Sequence, residues 1–161
     1  MTPRLDCCAE PVAGPVVTPP LLGQVWSAVG LLRVGGWPRL HSLASGRRTD
    51  TFIALGDILA GLYVVVDSDG RLRWLGQAHR NGGIAARLQA HLRHAERDRV
   101  FAGVYAIAVD PFGDPKALNA AEGRAADLLK LRGRMGGRIW PSSTGWLELV
   151  TETYRHSLSP N

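Results

Sequence analysis

Apolar and polar positions form a clear hairpin pattern in the middle of the chain. The segment GLYVVVDSDGRLRWLG (61–76) holds two runs rich in β-branched and aromatic residues, joined by the turn-forming residues DSDG. Runs of this kind around a short Asp/Ser/Gly stretch predict two antiparallel strands and a tight turn. Folding about a four-residue loop places Tyr63 opposite Trp74 and Gly61 opposite Gly76. We therefore expect an aromatic pair on one face of the hairpin, close to two positions without side chains.

A helix is predicted soon after the hairpin. The segment IAARLQAHLRHAERD (84–98) has apolar residues at four-residue spacing, which form one buried stripe: Ile84, Leu88 and Leu92. Arg87 and His91 are also four residues apart and share a second stripe beside the first. The next apolar run, RVFAGVYAIAVD (99–110), predicts a third strand.

A second helix is predicted over KALNAAEGRAADLLKL (116–131). Pro115 suits the first helical position, and Asp114 is placed to cap the helix. The apolar line of this helix contains one carboxylate, Glu122, and Asn119 lies on a neighbouring line. Because a buried carboxylate without a partner is unfavourable, we expect Glu122 either to reach out at the edge of the sheet or to meet a cation.

The N-terminal part of the chain gives weaker patterns. Residues 1–22 contain five prolines and predict a disordered, flexible tail without a helix. Residues 23–57 contain two short elements separated by a Gly/Pro break, and we expect this extension to pack on one side of the sheet. The central domain is predicted to span 58–141.

The C-terminal segment 142–161 is predicted to contain a last helix and a tail. Ser143 or Thr144 is expected to cap this helix, whose shared face would consist of Trp146, Leu149, Val150 and Thr153. The preceding loop is basic and rich in glycine. Together the elements predict an α/β fold: a small three-stranded antiparallel sheet flanked by helices, with a disordered N-terminal tail.

The positive charge of the 161-residue chain is concentrated in its centre. Residues 61–140 contain 13 Lys and Arg against 8 Asp and Glu, which gives +5, and this equals the net charge of the whole chain. All but two of the 19 cations are arginines, which suit bidentate phosphate binding. This balance favours a polyanion such as nucleic acid as the partner. The alternative is a solvated, arginine-rich surface without a polyanionic partner.

Two further features limit the class of protein. The only cysteines, Cys7 and Cys8, are adjacent. A bridge between them would close no useful loop and a metal pair needs wider spacing, so we expect free thiols. No apolar run reaches the roughly 18 residues of a membrane span, and the first residues lack a secretory-signal pattern. We therefore expect no membrane partner and a cytoplasmic location.

The order of these motifs resembles the GIY-YIG nuclease family. The two sequences that name the family stand here as GLY (61–63) and WLG (74–76). The family's helix arginine, often followed four positions later by a histidine, corresponds to Arg87 and His91. Its single metal-binding glutamate corresponds to Glu122 in NAAEGRAADLL. The similarity covers about half of the chain.

This resemblance implies a metal-dependent endonuclease that hydrolyses phosphodiester bonds in DNA. In the family, the tyrosine of the first motif acts as general base or positions the attacking water, and this role falls to Tyr63. Arg87 would contact the scissile phosphate. Glu122 would be the sole protein ligand of Mg²⁺ or Mn²⁺, ions that keep most of their waters. The glycines of the two motifs would let the nucleic acid backbone approach closely.

The chain departs from the family pattern at two places. Trp74 replaces the second-motif tyrosine, and an indole N–H donates a hydrogen bond but takes no part in acid–base chemistry near neutral pH. The asparagine that often follows the glutamate helix is not found. His79 lies three residues after the second motif and is a candidate acid/base or phosphate-binding group. The remaining cations that we expect to contact nucleic acid are Arg73, Arg80, His91, Arg134 and Arg138.

Three functions remain open from the sequence. The first is DNA cleavage, with RNA as a possible substrate. The second is nucleic-acid binding without catalysis on the same fold, which the altered second motif favours. The third is an enzyme that acts on a small phosphate or nucleotide, in a pocket closed over by the N-terminal extension.

Overall fold

The computed structural model describes residues 13–135 and 138–158. Its centre is a four-stranded antiparallel sheet with the strand order β1–β4–β2–β3. The strands are β1 (His41–Ser42), β2 (Ala60–Val66), β3 (Leu72–His79) and β4 (Gly103–Ala108). The α/β class is confirmed, but the predicted strand count of three is wrong. The extra strand, β1, has only two residues, too few for a periodic pattern to reveal it.

The described residues form six α-helices, which cover both faces of the sheet. They are α1 (Pro19–Val29), α2 (Arg48–Leu55), α3 (Gly83–His91), α4 (Ala95–Val100), α5 (Pro115–Leu128) and α6 (Trp146–Leu158). Side chains from α1, α5 and α6 pack in one core cluster against one face. Side chains from α2 and α3 pack in a second cluster against the other face. In the part of the chain that is described, no helix combines the length and the apolar character needed to cross a bilayer.

The hairpin is present, but its predicted register is wrong by two residues. Tyr63 lies opposite Gly76 and Val65 lies opposite Trp74, with an irregularity at Val66. The loop is longer than expected because Asp67 closes it with its side chain. One carboxylate oxygen of Asp67 accepts hydrogen bonds from the backbone N–H groups of Asp69 and Arg71. Since side chains alternate with a period of two, a shift of two leaves every residue on its predicted face.

The predicted helix 84–98 is two helices. Its first half forms α3, in which Ile84 and Leu88 are fully buried as expected. The chain then turns and begins α4, so the predicted third strand starts at Gly103 rather than at residue 99. No residue of α4 is buried. Because α4 is held by polar contacts rather than by an apolar stripe, periodicity gave no sign of the break.

The prediction of a disordered tail over residues 1–22 is wrong for residues 13–22, the part of that segment that is described. Helix α1 begins at Pro19, with prolines in its first two positions, and the Thr18 hydroxyl accepts a hydrogen bond from the backbone N–H of Leu21. Proline is tolerated in the first turn because these N–H groups have no helical partner. The segment before α1 pairs with β3, since Gly14 N–H donates to the Leu72 carbonyl at 2.8 Å. Residues 1–12 of the predicted tail lie outside the described residues.

The two elements of the N-terminal extension lie on different faces of the sheet. Val25 and Ala28 of α1 belong to the core cluster that contains α5. Leu55 of α2 belongs to the opposite cluster. The prediction that both elements cover one side is therefore wrong.

Helix α5 agrees closely with its prediction. Pro115 is its first residue, and a carboxylate oxygen of Asp114 accepts a hydrogen bond from the Lys116 backbone N–H at 2.9 Å. Glu122 is only 3% exposed, so the helix does bury a carboxylate. The last helix is also present, and Val150 on its predicted face is buried. The Ser143 hydroxyl donates to Asp127 of α5.

Candidate active site

A cleft of about 520 Å³ opens at the outer edge of β3. The residues that form it come from β2, β3, α3, α5 and the loop between α5 and α6. Most of the predicted site residues line this cleft: Tyr63, Trp74, His79, Arg80, Arg87, His91, Glu122 and Arg138.

The position of β3 at the edge of the sheet explains how two sides of the sheet contribute to one cleft. Tyr63 and Trp74 lie on the face covered by α3, which also carries Arg87 and His91. Glu122 lies on α5, which packs against the opposite face. Within residues 13–135 and 138–158 no further strand lies beyond β3, so side chains from both faces meet around its edge.

Tyr63 is held in place by the strand opposite it. Its side chain is buried, and its hydroxyl lies 2.9 Å from His91 Nε2. A Cβ atom on Gly76 would lie 2.6 Å from both Cζ and Oη of Tyr63, so the phenol ring occupies the space above this glycine. Burial raises the pKa of Tyr63 to about 12, opposed by the Arg87 charge and a hydrogen bond from Trp74. Tyr63 therefore keeps its proton at neutral pH.

His91 is neutral and has a defined tautomer. Burial lowers its pKa to about 4, and the nearby charge of Arg97 acts in the same direction. Arg97 Nη1 lies 3.0 Å from His91 Nδ1. Because a guanidinium only donates hydrogen bonds, Nδ1 must accept, and the ring proton is on Nε2. The Nε2–H therefore donates to the Tyr63 hydroxyl oxygen.

Glu122 is a buried carboxylate with a donor on each oxygen. Arg138 Nη2 lies 2.8 Å from Oε1, and Gln77 Nε2 donates to Oε2 at 2.6 Å. Burial raises the pKa of Glu122, while Arg138 and Gln77 oppose this rise. The cation that the sequence led us to expect for a buried carboxylate on α5 is thus Arg138.

Glu122 offers the oxygen ligands that a divalent ion prefers, but an ion on Oε1 would have to displace Arg138. Mg²⁺ prefers oxygen ligands and needs few protein groups because it retains waters. Among the described residues, no group of three or more His, Cys, Asp and Glu side chains is placed to hold a metal, so Glu122 would act alone. An ion on Oε1 would have to take the place of the Arg138 guanidinium.

Arg87 is one of two exposed arginines that line the cleft, the other being Arg80. It stands on α3 one turn before His91, and its Nε lies 3.4 Å from the Gln77 carbonyl oxygen. Its charge lowers the pKa of Tyr63 and of Glu122, which burial raises. It also lowers the pKa of His91, which burial lowers as well. An exposed guanidinium near a phenol and a carboxylate is suited to bind an anion that enters the cleft.

His79 and Arg80 line the cleft and also hold the loop that follows β4. His79 Nε2 lies 3.2 Å from the Gly113 carbonyl, and Arg80 Nε donates to the Pro111 carbonyl at 2.8 Å. The ring of Phe112 in this loop is 80% exposed and lies under the Arg80 guanidinium. His79 therefore has a structural contact in addition to the acid/base or phosphate role expected for it.

Two predicted nucleic-acid contacts lie outside the cleft. Arg73 pairs with the Asp67 carboxylate at 2.8 Å and so stabilises the hairpin loop. Arg134 is exposed and lines a separate depression with Arg71 and Lys130.

Sequence reasoning missed two residues of the site, Gln77 and Arg97. Gln77 follows the WLG motif directly and is a polar residue within a strand, which was a usable signal. Arg97 was assigned to the same helix as His91. Residues six apart on a continuous helix lie roughly 120° apart around the axis, so the contact depends on the break between α3 and α4.

The expected role of the motif glycines is wrong. A Cβ atom on Gly61 would lie 2.1 Å from the Ile107 carbonyl oxygen of β4, and the space above Gly76 is filled by Tyr63 and Trp74. Both glycines make room for neighbouring parts of the protein rather than for a nucleic acid backbone.

Comparisons of this chain with protein-family models, with curated proteins and with solved structures gave no match.

Proposed function

We propose that this protein is a metal-dependent endonuclease that hydrolyses phosphodiester bonds in DNA. The observation that carries the proposal is the meeting of Tyr63, Arg87 and Glu122 at one cleft. These residues are far apart in sequence and come from β2, α3 and α5. A phenol, a guanidinium and a carboxylate around a cleft of about 520 Å³ supply groups for water positioning, phosphate binding and metal binding.

The proposed division of work follows from the state of each group. Arg87 binds the phosphate, because it is exposed and forked. Tyr63 keeps its proton and its oxygen already accepts from His91, so it acts as a hydrogen-bond donor that positions the water or the phosphate. Of the two roles implied by the family resemblance, this arrangement favours positioning over general base catalysis.

Glu122 would hold the divalent ion, and Trp74 takes a positioning role. When bound, Mg²⁺ or Mn²⁺ would supply Lewis-acid stabilisation of the phosphate charge. The Trp74 indole nitrogen and the Tyr63 phenol lie over the same glycine, Gly76, so the tryptophan packs beside the phenol although it replaces a tyrosine. The cations of the cleft, together with the basic central segment, support a nucleic acid substrate.

The test is cleavage of plasmid and branched DNA by the purified protein with Mg²⁺ or Mn²⁺. We expect Glu122→Gln and Tyr63→Phe each to lower the rate about 10²- to 10³-fold, the range for loss of one group that stabilises a transition state. Matched controls are Glu148→Gln, an exposed carboxylate on α6, and Tyr105→Phe, a tyrosine of β4 outside the cleft. Unchanged cleavage in Glu122→Gln would refute the proposed metal role.

A second candidate is nucleic-acid binding without catalysis. It is favoured by the two donors that already occupy both oxygens of Glu122. Salt-sensitive DNA binding with no cleavage under any divalent metal would support this candidate over the nuclease. The third sequence-based alternative receives less support, because no residue of the segment 23–57 lines the cleft and none therefore closes it over a small substrate.

A further inference from the structure

Arg138 is built into the wall of the cleft. It comes from the loop between α5 and α6 and forms an ion pair with Glu122 at 2.8 Å. The side chain of Glu122 is 4% exposed and that of Arg138 is 23% exposed. Arg138 therefore lines the cleft and is partly exposed, whereas the carboxylate with which it pairs is nearly closed off from water.

Two tryptophans hold the Arg138 guanidinium. Its Cζ lies 4.2 Å from the ring centroid of Trp74 and 4.0 Å from that of Trp140. The loop that carries Arg138 is fixed close to the end of α5. Arg132, which follows α5, donates hydrogen bonds to the carbonyls of Trp140 and Pro141 on the far side of this loop. Planar stacking of this kind suits arginine and would not hold lysine in the same way.

One nitrogen of Arg138 has no hydrogen-bond partner among the described residues. Nη2 binds Glu122, but Nη1 is buried and makes no hydrogen bond to any described residue. A buried N–H without an acceptor is unfavourable by about 1–3 kcal/mol. The contact with Glu122 thus satisfies only part of the guanidinium and leaves it able to gain an acceptor elsewhere.

A divalent ion on Oε1 of Glu122 would contact the same carboxylate oxygen as Arg138, since Gln77 already occupies Oε2. Removing the partner of a buried charge is strongly unfavourable, so Arg138 leaves Glu122 only if another cation replaces it. An ion on Oε1 would also repel a guanidinium held within a few ångströms. An ion on Oε1 and the Arg138 guanidinium therefore compete for Glu122.

We propose that Arg138 is a displaceable cation that holds Glu122 in the metal-free protein, and that a divalent ion releases it to bind a phosphate of the nucleic acid. The phosphate part of this inference rests on the proposed nuclease function, but the competition for Glu122 does not. Arg138 is then a metal-gated phosphate-binding residue, and metal binding and substrate binding are coupled through one side chain.

The competition is tested by titrating the full-length protein with Mn²⁺ and measuring the free ion by electron paramagnetic resonance. The titration is done at pH 8.5, because burial raises the pKa of Glu122 and a high pH favours its ionised form. We expect Arg138→Gln to bind Mn²⁺ roughly tenfold more tightly than wild type, because the competing charge is gone. Arg134→Gln, which removes a charge from the same loop outside the cleft, should stay within about twofold. Glu122→Gln should abolish binding. Equal affinity of wild type and Arg138→Gln would overturn the proposal.

A measurement on the wild-type protein covers the case in which Arg138→Gln fails to fold. The guanidinium stacks on Trp74 and Trp140, so its release by Mg²⁺ should change the tryptophan fluorescence. The change should saturate with Mg²⁺ and should be absent in Glu122→Gln. A wild-type protein that binds Mg²⁺ without a fluorescence change would overturn the release of Arg138.

The phosphate role is tested with a short DNA oligonucleotide and Ca²⁺ as the non-reacting ion. With Ca²⁺ present, Arg138→Gln should weaken binding and reduce the salt slope by about one. Without Ca²⁺, the variant and wild type should bind alike, and an equal loss with and without Ca²⁺ would overturn the gating. Absence of cleavage alone would refute only the nuclease function, since the Mn²⁺ competition is measured without DNA.

Discussion

Gly76 shows how one missing side chain organises the site. The Tyr63 ring lies across this glycine, and the Trp74 indole nitrogen would lie 2.9 Å from a Cβ atom placed there. We expect Gly76→Ala to lower the free energy of unfolding by about 1–3 kcal/mol, because the phenol must move and overpacking is costly. Urea unfolding followed by fluorescence measures this loss. Gly46→Ala is the control, since a Cβ atom at Gly46 meets no atom within 4 Å. Equal stability of the two variants would show that Tyr63 is not held by this contact.

His91 makes stability depend on pH in a defined direction. Its pKa falls from 6.5 to about 4 in the folded protein, so the unfolded chain binds the proton more tightly. The contribution of the buried neutral imidazole to the free energy of unfolding is complete above pH 6.5 and is lost as the pH falls towards 4. At 1.36 kcal/mol per pKa unit the loss is about 2–3 kcal/mol once partial exposure is allowed for.

The measurement for His91 is urea unfolding at pH 7 and at pH 4.5. The pKa of His41 is also lowered, and in this window His41 contributes with the same sign in every variant. The pKa values of Asp67 and Asp127 are lowered from 3.8, so these carboxyl groups change stability only below this window. We expect His91→Gln to show a smaller difference between the two pH values than wild type. His156→Gln, which changes an exposed histidine of α6, should keep the wild-type difference. A full difference in His91→Gln would contradict a buried neutral imidazole.

At the level of elements, the sequence predicted what local rules determine. The cap of α5 and the burial of Glu122 follow from Asp114, Pro115 and helical spacing, and both are present. The hairpin was predicted from its turn residues, but its register depends on the hydrogen bonds of the Asp67 carboxylate. These bonds lengthen the loop, and no periodic pattern encodes them.

The elements that sequence reasoning missed are held by contacts between distant parts of the chain. The break before α4 is stabilised by the ion pair of Arg48 with Asp98 and by the contact of Arg97 with His91. The strand β1 exists because His41 pairs with Val104 across about sixty residues. For the candidate site, motif order was enough to predict that Tyr63, Arg87 and Glu122 meet. It was not enough to predict that Arg138 rather than solvent faces Glu122.

At the scale of the whole molecule, the site lies where the sheet has a free edge. The segment 14–17 covers β3 near its start, through backbone pairing with Gly70 and Leu72. The cleft begins further along β3, at Trp74 and Gly76. The covered start of β3 is protected from pairing with the strands of other chains. A ligand can therefore reach this edge of the sheet only at the cleft.

The N-terminal segment should be part of the folding unit rather than an optional addition to the central domain. The side chains of Leu22, Val25, Val29 and Leu32 are buried, and the last three belong to the core cluster that contains α5. At about 1.5–3 kcal/mol for each large apolar side chain, these four contribute roughly 6–12 kcal/mol. That amount is comparable with the entire stability of a typical domain, about 5–15 kcal/mol.

We therefore expect a fragment of residues 33–161 to lose its cooperative fold. Without α1, the face of α5 that carries Ala121 and Ala125 becomes exposed, and β3 loses its pairing partner at Leu72. Far-UV circular dichroism during heating measures the transition. A fragment of residues 13–161 is the control and should unfold cooperatively, since it keeps every contact described above. If the shorter fragment also unfolds cooperatively near the same temperature, the sheet and α5 are stable alone, and the boundary near residue 58 that the sequence predicts becomes the better description of the domain.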